Sequence, residues 1–470
     1  MRAVIVGAGI TGLLVARRLQ QAGFEVVVHE ASDRIGGQIH TIEVEGHPVD
    51  VGAEAMHLGA PAVKKLVAEL GLSDRIVPAN DGGSLLLTHK GLRPLPAGVG
   101  PTGPTKIWPV VRSGIMTLPG MARAGLEPLL ARLRKSPEDQ SVGSFIRGRF
   151  GNEVADLFVD PLLGNLHSGD VDKLSLHSTA PQLIGKATEG TSLLPKPTRP
   201  TRVNLFGNKP TKSAGPNLFS SLPSGLHELV DAIAEGLDIR LNSPVTSVGA
   251  SDGRWIVQTA QDSEQADALV VACPASVAAK LLESIAPDAS RELAQTTTAS
   301  VATLVLTYDR SQPNQLLDEA NGLLLPSTSG GLVKALTNLS RKWPQVADPE
   351  RHIIRVSVGR AGQQRLATLT DERLVDIVAG ELHDIAGLPE RPTSSRVIRW
   401  QEALPQLEVG HAARLRRVRK VLEELPPIAL AGGPYDGLGI GSTVKSAEAR
   451  AAELITRLTP ASQNDPEETA

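Results

Sequence analysis

The chain has a single cysteine, Cys273, in 470 residues. That excludes an intramolecular disulfide and a multi-thiolate metal cluster, and no metal is expected. Aromatic residues make up only 3% of the chain, so a large flat ligand would be held mainly by aliphatic side chains. No charge dominates: the formal net charge is -3, without the basic excess that phosphate-backbone binding requires. Nucleic acid is therefore not an expected partner. Long apolar runs are also missing, since no stretch reaches the roughly 18–20 residues of a spanning helix. The apolar Ala3–Val6 breaks at once into glycines and reads as a strand, not a secretory signal. The expectation is a cytoplasmic chain without a transmembrane segment. A peripheral membrane contact stays open, and oligomeric state is not legible.

What is present begins at the N-terminus. Ala3–Val6 is apolar and β-branched, Gly7-Ala8-Gly9 turns, and Leu13, Leu14, Ala16 and Leu19 recur at helical spacing up to Gly23. Glu25–Glu30 is a second buried strand. This βαβ unit carries Gly7-Ala8-Gly9-Ile10-Thr11-Gly12, with Glu30 ending the second strand. In such a fingerprint the first glycine permits a tight turn and the second lets a phosphate approach the backbone. The third lets helix and strand pack closely, and the acid takes ribose hydroxyls. Glycine-rich turns are common, but this one has the full context of a dinucleotide site.

Two further features select FAD over NAD. After Glu30 comes Ala31-Ser32-Asp33-Arg34-Ile35-Gly36-Gly37, a second close-approach glycine pair with an arginine able to reach phosphate or ribose. Then Val51-Gly52-Ala53-Glu54-Ala55 places a third such glycine at a strand end. An embedded flavin needs this extended wrapping and NAD does not. For Arg34 the ordinary alternative is a solvated surface residue.

Farther along, Leu118–Arg134 has helical spacing and 194–216 is dense in Pro, Lys, Thr and Gly, a loop or lid. A helix–strand segment over Leu226–Ile239, a buried strand at Ala268–Ala272, β-like segments at 299–308 and 353–358, and an amphipathic helix at 371–386 follow. The chain closes with a strand at Ile428–Ala431, a Gly-rich turn and a helix through Arg457. The polar tail 459–470 reads as disordered. At this length two domains are expected.

These motifs resemble the flavin amine oxidase superfamily, and within it the bacterial, actinobacterial-type porphyrinogen oxidases, along nearly the whole chain. The match is carried by the opening fingerprint, Glu30–Gly37 and Val51–Ala55. Asp160-Pro161-Leu162-Leu163-Gly164, Ser168-Gly169-Asp170, Leu174-Ser175-Leu176 and Leu222-Pro223-Ser224-Gly225-Leu226 extend it. Arg399-Trp400, Ala403–Gln406, Val409-Gly410-His411 and Ala431–Ile440 complete it. The resemblance implies an α/β fold: a discontinuous Rossmann-like FAD-binding domain (1–77, 218–295 and 395–458) with an inserted mixed α+β substrate domain (78–217 and 296–394). It implies FAD-dependent oxidation of coproporphyrinogen III, or protoporphyrinogen IX, to the porphyrin in haem biosynthesis, with O2 as acceptor and H2O2 released. Gly432, Gly433, Gly439 and Ile440 would line the FAD, Val245 would hold the adenine edge by its backbone, and Tyr435 would shape the flavin end of the cleft.

The sequence departs from that family at three places. Met56-His57-Leu58-Gly59-Ala60-Pro61 lacks the arginine usual there, Asn165-Leu166-His167 lacks an aromatic, and Gly441-Ser442-Thr443 lacks proline and cysteine. His57 and His167 fall where substrate would lie, although loop histidines are more often plain hydrogen-bonding residues. Cys273 reads as a core thiol, Met116 and Met121 as core packing, and the basic run Arg414–Lys420 as a solvated face. Two other functions stay open: a tailoring oxidase for an amine or natural-product intermediate, and a flavin-binding protein without turnover. Against an amine substrate, Ser300–Leu306 carries no lysine, where amine-oxidising members commonly have one.

Overall fold

The computed structural model describes residues 1–136, 138–194, 219–311 and 313–459. The 194–216 loop and the 459–470 tail therefore lie almost wholly outside the described residues. Two sheets organise the rest. The first is five-stranded and wholly parallel, in the order Asp238–Arg240, Glu25–His29 (β2), Arg2–Val6 (β1), Ala268–Val271 and Ile428–Leu430. Its strands come from three separated parts of the chain.

Alternation along β1 explains why both faces are covered. Ala3 and Ile5 join Leu13, Leu14 and Leu19 of the helix Ile10–Gln21 (α1), together with the helices His227–Ala234 and Ile440–Leu458. Val4 and Val6 face the other way, onto Val248, Trp255 and Val257 of a three-stranded sheet and onto helices at Ala275–Leu282 and His411–Leu422. A parallel strand with period-2 side chains and no polar face is what such double coverage produces.

The second sheet has seven strands, in the order Ser394–Pro405, Thr298–Asp309, Arg351–Val358, Val333–Asn338, Gly322–Leu324, Ser84–Thr88 and Gly91–Pro94. Every pairing is antiparallel except that between Gly322–Leu324 and Ser84–Thr88. The boundary expected at 395 falls at the start of a strand of this ladder. Ser394–Pro405 pairs from Thr298↔Pro405 to Thr307↔Ser394, so it belongs with the seven-stranded sheet. Backbone hydrogen bonding to a twelve-residue neighbour decides this, and no local signal in 394–405 announces it.

One face of this sheet is apolar: Leu304, Leu306, Leu336, Ile354 and Val356 pack against Leu374, Val378 and Leu382 of the helix Asp371–Ala386. The other face is split. Val305 and Ile353 join Val49, Val51 and Trp343 beside the 47–57 segment. Leu86 joins the helical region between Ile107 and Glu189, where Met116 is core and Met121 packs against it. Leu118–Arg134 is two short helices, Leu118–Gly125 and Glu127–Leu133, each with proline in its first turn. In the same region Ala155–Gly164 forms a π-type helix with Pro161 inside it. Proline has no N–H to give the regular helical ladder, which accounts for the local widening.

Candidate active site

Three loops converge at the carboxyl ends of the parallel strands, the usual position of a ligand on such a sheet. In the first, between β1 and α1, Gly7 has φ +106° and a Cβ there would lie 2.8 Å from the Ala272 carbonyl oxygen. A Cβ on Gly12 would lie 2.0 Å from the Gly7 carbonyl oxygen. Turn and helix thus meet at a distance that only glycine allows. At Gly9, by contrast, a Cβ would meet nothing within 4 Å. Gly9 is also the N-cap of α1, with no side-chain cap and no acid in the first turn. The free N–H groups and open space there form an anion site.

Glu30 stands at the end of β2. Its Oε2 accepts the Ala8 N–H at 2.7 Å, and its Oε1 accepts the backbone and hydroxyl of Ser32 at 2.9 and 2.7 Å. Ser243 N–H donates to the Glu30 carbonyl oxygen at 2.8 Å, which brings the turn leading into Val245 against the same strand end.

The second loop lies on the first. Gly36 N–H donates to the Ala8 carbonyl oxygen at 2.8 Å, and Gly37 sits against Gly9. Ala31 leads into this loop as an exposed residue. The Arg34 guanidinium is held by the Gly37 and Ile35 carbonyl oxygens, at 2.8 and 3.2 Å, and its Cζ lies 5.8 Å from the Trp400 ring centroid. Burial lowers its pKa. Arg34 is therefore fixed over Trp400 instead of waving in solvent.

The segment 51–55 continues this wall. Val51 and Ala53 donate to the His40 and Gln38 carbonyl oxygens at 2.9 and 2.8 Å, and a Cβ on Gly52 would lie 1.9 Å from the latter. Ala55 packs at the edge of the Val305 cluster. The Glu54 side chain turns to the second sheet, so any part of Glu54 in the cofactor wall is its backbone. Its carboxylate is spent on Lys342 Nζ at 2.6 Å, Arg355 at 2.8 Å and the Trp343 indole N–H at 3.2 Å. Burial opposes its charge, but the two cations prevail and hold its pKa at about 2. Arg355 also donates to the Gly52 carbonyl oxygen at 2.5 Å, so this clamp ties the second sheet to the glycine strand.

The third loop is 431–440. Gly432 has φ +116° and sits 3.5 Å, by a notional Cβ, from Thr11 Oγ1. Its N–H donates to Ser446 Oγ at 3.0 Å, and Gly433 follows as the first residue of a short helical turn. Gly439 caps the long helix that starts at Ile440, again with no side-chain cap and no acid in the first turn. A second uncapped N-terminus therefore stands near that of α1, and the two helices pack on one another.

The expected substrate residues land differently. Tyr435 is 3% exposed, with its hydroxyl donating to the Cys273 carbonyl oxygen at 2.8 Å. It is a core residue, which corrects its placement in the cleft. Cys273 is likewise a buried thiol whose pKa is pushed up to about 12 by desolvation. His57 is exposed on Met56–His57, edge-on to Phe219 with centroids 5.1 Å apart. His167 is 4% exposed, and desolvation alone lowers its pKa to about 4. Of the basic run, Arg417 pairs with Glu292 at 2.7 Å and Arg419 with Asp436 at 2.6 Å, while Arg416 and Lys420 are exposed.

Sequence reasoning did not find Lys342, Trp343, Arg355, Lys334 or Arg360. None of them belongs to a spaced motif, and only the packing around the second sheet brings them together. Between the two clusters on the split face, the central strands present half-buried Ala335, Arg355 and Ser357. Near that end of the sheet a groove of about 930 Å³ runs between the two regions. It is walled by Pro274, Val277, Val301, Leu366 and Trp400. Trp400 also closes on Gly52, at 3.3 Å from a notional Cβ.

Glycine loops of this kind at the ends of a parallel sheet are those of an oxidoreductase that takes a dinucleotide cofactor. The chain belongs to the flavin-containing amine oxidoreductase family, whose model matches residues 10–455. The glycine turn, the two uncapped helix ends and the Glu30 carboxylate fit FAD, its cofactor. The chain is 31% identical over 467 residues to the coproporphyrinogen III oxidase of Bacillus subtilis (strain 168), covering 97% of this chain and 98% of that protein. It is 30% identical over 504 residues to that of Propionibacterium freudenreichii subsp. freudenreichii, covering 99% and 93%. A crystal structure from Exiguobacterium sp. 255-15, assigned as a protoporphyrinogen oxidase, superposes with a TM-score of 0.82 at 29% identity, covering 97% of this chain and 99% of that one. Among the described residues no helix is long and apolar enough to cross a membrane.

Proposed function

We propose that this flavoenzyme oxidises a porphyrinogen, coproporphyrinogen III in preference to protoporphyrinogen IX, to the porphyrin of haem biosynthesis. O2 is the acceptor and H2O2 the second product. The observation that carries the reading is similarity over nearly the full length of chains named for that reaction.

Bound FAD supplies a two-electron acceptor, and three such oxidations balance the six electrons lost. The protein's part is placement. Gly7, Gly9, Ile10, Thr11 and Gly12 receive the pyrophosphate at the α1 N-terminus, Glu30 the ribose, and Val245 the adenine edge. Arg34, Gly36 and Gly37 close over the cofactor. Gly52, Ala53 and Ala55, with Gly432, Gly433, Gly439 and Ile440, bound its reactive end. The split face of the second sheet then offers two apolar clusters, around Val305 and around Leu86, with Arg355 and Ser357 between them, so that apolar surface can bear a flat macrocycle and a few polar groups can orient it. No paired carboxylate is required, because the substrate is oxidised at carbon and loses its proton from a pyrrole.

The test is to add coproporphyrinogen III in air to the FAD-loaded enzyme while following porphyrin fluorescence and peroxide. Enzyme-dependent gain in both is expected. Fluorescence no faster than with free FAD would defeat the reading.

A further inference from the structure

The split face of the second sheet holds one group that nothing above uses. The strand Val333–Asn338 carries a register shift against Arg351–Val358, with Val333 opposite Val358 and Ala335 opposite Ser357. Lys334 is the extra residue. A bulge re-aims a side chain out of the regular alternation, and bulges recur beside active sites. Lys334 is 3% exposed, and its ammonium donates to Ser168 Oγ.

Three donors sit on that nitrogen and one acceptor is shown. No carboxylate pairs with it among the described residues. Arg360, also buried, is held by the Asn165 side chain and by the Leu325 carbonyl oxygen at 3.2 Å. Asn165 in turn donates to the Leu325 and Lys334 carbonyl oxygens, at 3.1 and 2.7 Å, tying both cations to one turn.

The charges facing this cluster can be counted. The sheet brings Lys334, Arg355 and Arg360. The 47–57 segment brings Glu54, already paired to Arg355. The π-type helix brings Asp160, which accepts the Ser327 N–H at 2.6 Å and faces Arg360. His167, on the following turn, is neutral near pH 7. With Glu54 shared between Arg355 and Lys342, the cations outnumber the carboxylates, which leaves positive charge without a full counterpart in a desolvated place. Buried charge of this kind is costly unless something pairs it.

We propose that Lys334, with Arg360 beside it, is a carboxylate-reading subsite that binds an acidic side arm of the substrate and sets its orientation in the cleft. This rests on the porphyrinogen reading, and it names the part of the enzyme that distinguishes a substrate with many carboxylates from one with few. The carboxylate accepts from the two unserved Lys334 donors, while Ser168 and Asn165 hold the cation pair in place. The backbone leading into Arg360 abuts the groove wall, since a Cβ on Gly359 would lie 3.3 Å from Val301 Cα. Desolvation first, then Arg360 and Arg355, lower Lys334 to a pKa of about 7, so an incoming carboxylate also decides whether this lysine is charged.

The experiment compares FAD-loaded wild type, Lys334→Met and Lys334→Arg. Each is titrated with coproporphyrin III and with its tetramethyl ester, following the porphyrin absorbance. Lys334→Met is expected to weaken the free acid about 10- to 100-fold, the range for one charged hydrogen-bonded pair, and to leave the ester unchanged. Lys334→Arg is expected to restore most of the acid affinity, and both variants keep the wild-type flavin spectrum. Equal weakening of acid and ester, or no change in either, overturns the subsite. If the wild type turns over coproporphyrinogen III while the acid-to-ester ratio is unmoved in Lys334→Met, only the subsite fails. If the wild type neither turns it over nor binds either porphyrin, the functional reading fails with it.

Discussion

The two sheets bury charge in opposite ways. Around the parallel sheet, the cofactor wall is built from backbone: glycines, free helix N–H groups and carbonyl oxygens, with Glu30 as its main charged side chain. Around the antiparallel sheet, the corresponding wall is built from side chains: Glu54 with Lys342 and Arg355, Arg360 with Asn165, and Lys334 with Ser168. A cofactor common to many enzymes is recognised by main-chain geometry that tolerates few substitutions. A substrate is recognised by side chains that vary without disturbing the fold.

The comparison predicts that the two walls fail differently. Gly12→Ala should have the largest effect on the cofactor, because its Cβ meets backbone 2.0 Å away and no rotamer relieves that. FAD affinity should fall at least about 100-fold, near 2.7 kcal/mol, measured by flavin titration of the apoprotein. If the variant keeps its flavin, the backbone account of the first wall is wrong.

Glu54→Gln should instead spare the turn and cost stability. It leaves Lys342 and Arg355 without their counter-charge, at about 3 kcal/mol, the low end for a buried pair because Lys342 stays 23% exposed. Urea unfolding of the holoenzyme reads this out. A change within about 0.5 kcal/mol would show the clamp to be ornamental.

His167 gives the smallest effect, and its sign is fixed. The folded pKa of about 4 lies below the ordinary histidine value of 6.5, so only the unfolded chain takes up this proton as pH falls between them. Its contribution is intact above pH 6.5 and is lost as pH drops toward 4. Thermal unfolding at pH 7.5 and 5.0 should show about 2 kcal/mol less of this acid loss in His167→Phe than in wild type.

These contrasts also sort what was readable in advance. The N-terminal βαβ unit, the strand at Ala268–Ala272 and the helix at 371–386 were legible because each pattern is local, whether glycine spacing, a β-branched run or 3.6-residue periodicity. The partner of Ser394–Pro405 was not legible, because a strand's partner is chosen by pairing, not by its own composition. Tyr435 sat in a well-matched motif and proved to be core. Proximity to a cofactor loop in sequence does not say which way a side chain points.

By itself the sequence determined the cofactor class, since the glycines at 7, 9, 12, 36, 37 and 52 stand at spacings that can be read along the chain before any partner is known. Only the tertiary structure decided where the charges go. Lys334 and Ser168, or Glu54 and Lys342, are far apart in the chain and meet because two sheets and a widened helix close on one another. The free energy of a buried charge depends on every group around it, and that neighbourhood exists only after folding.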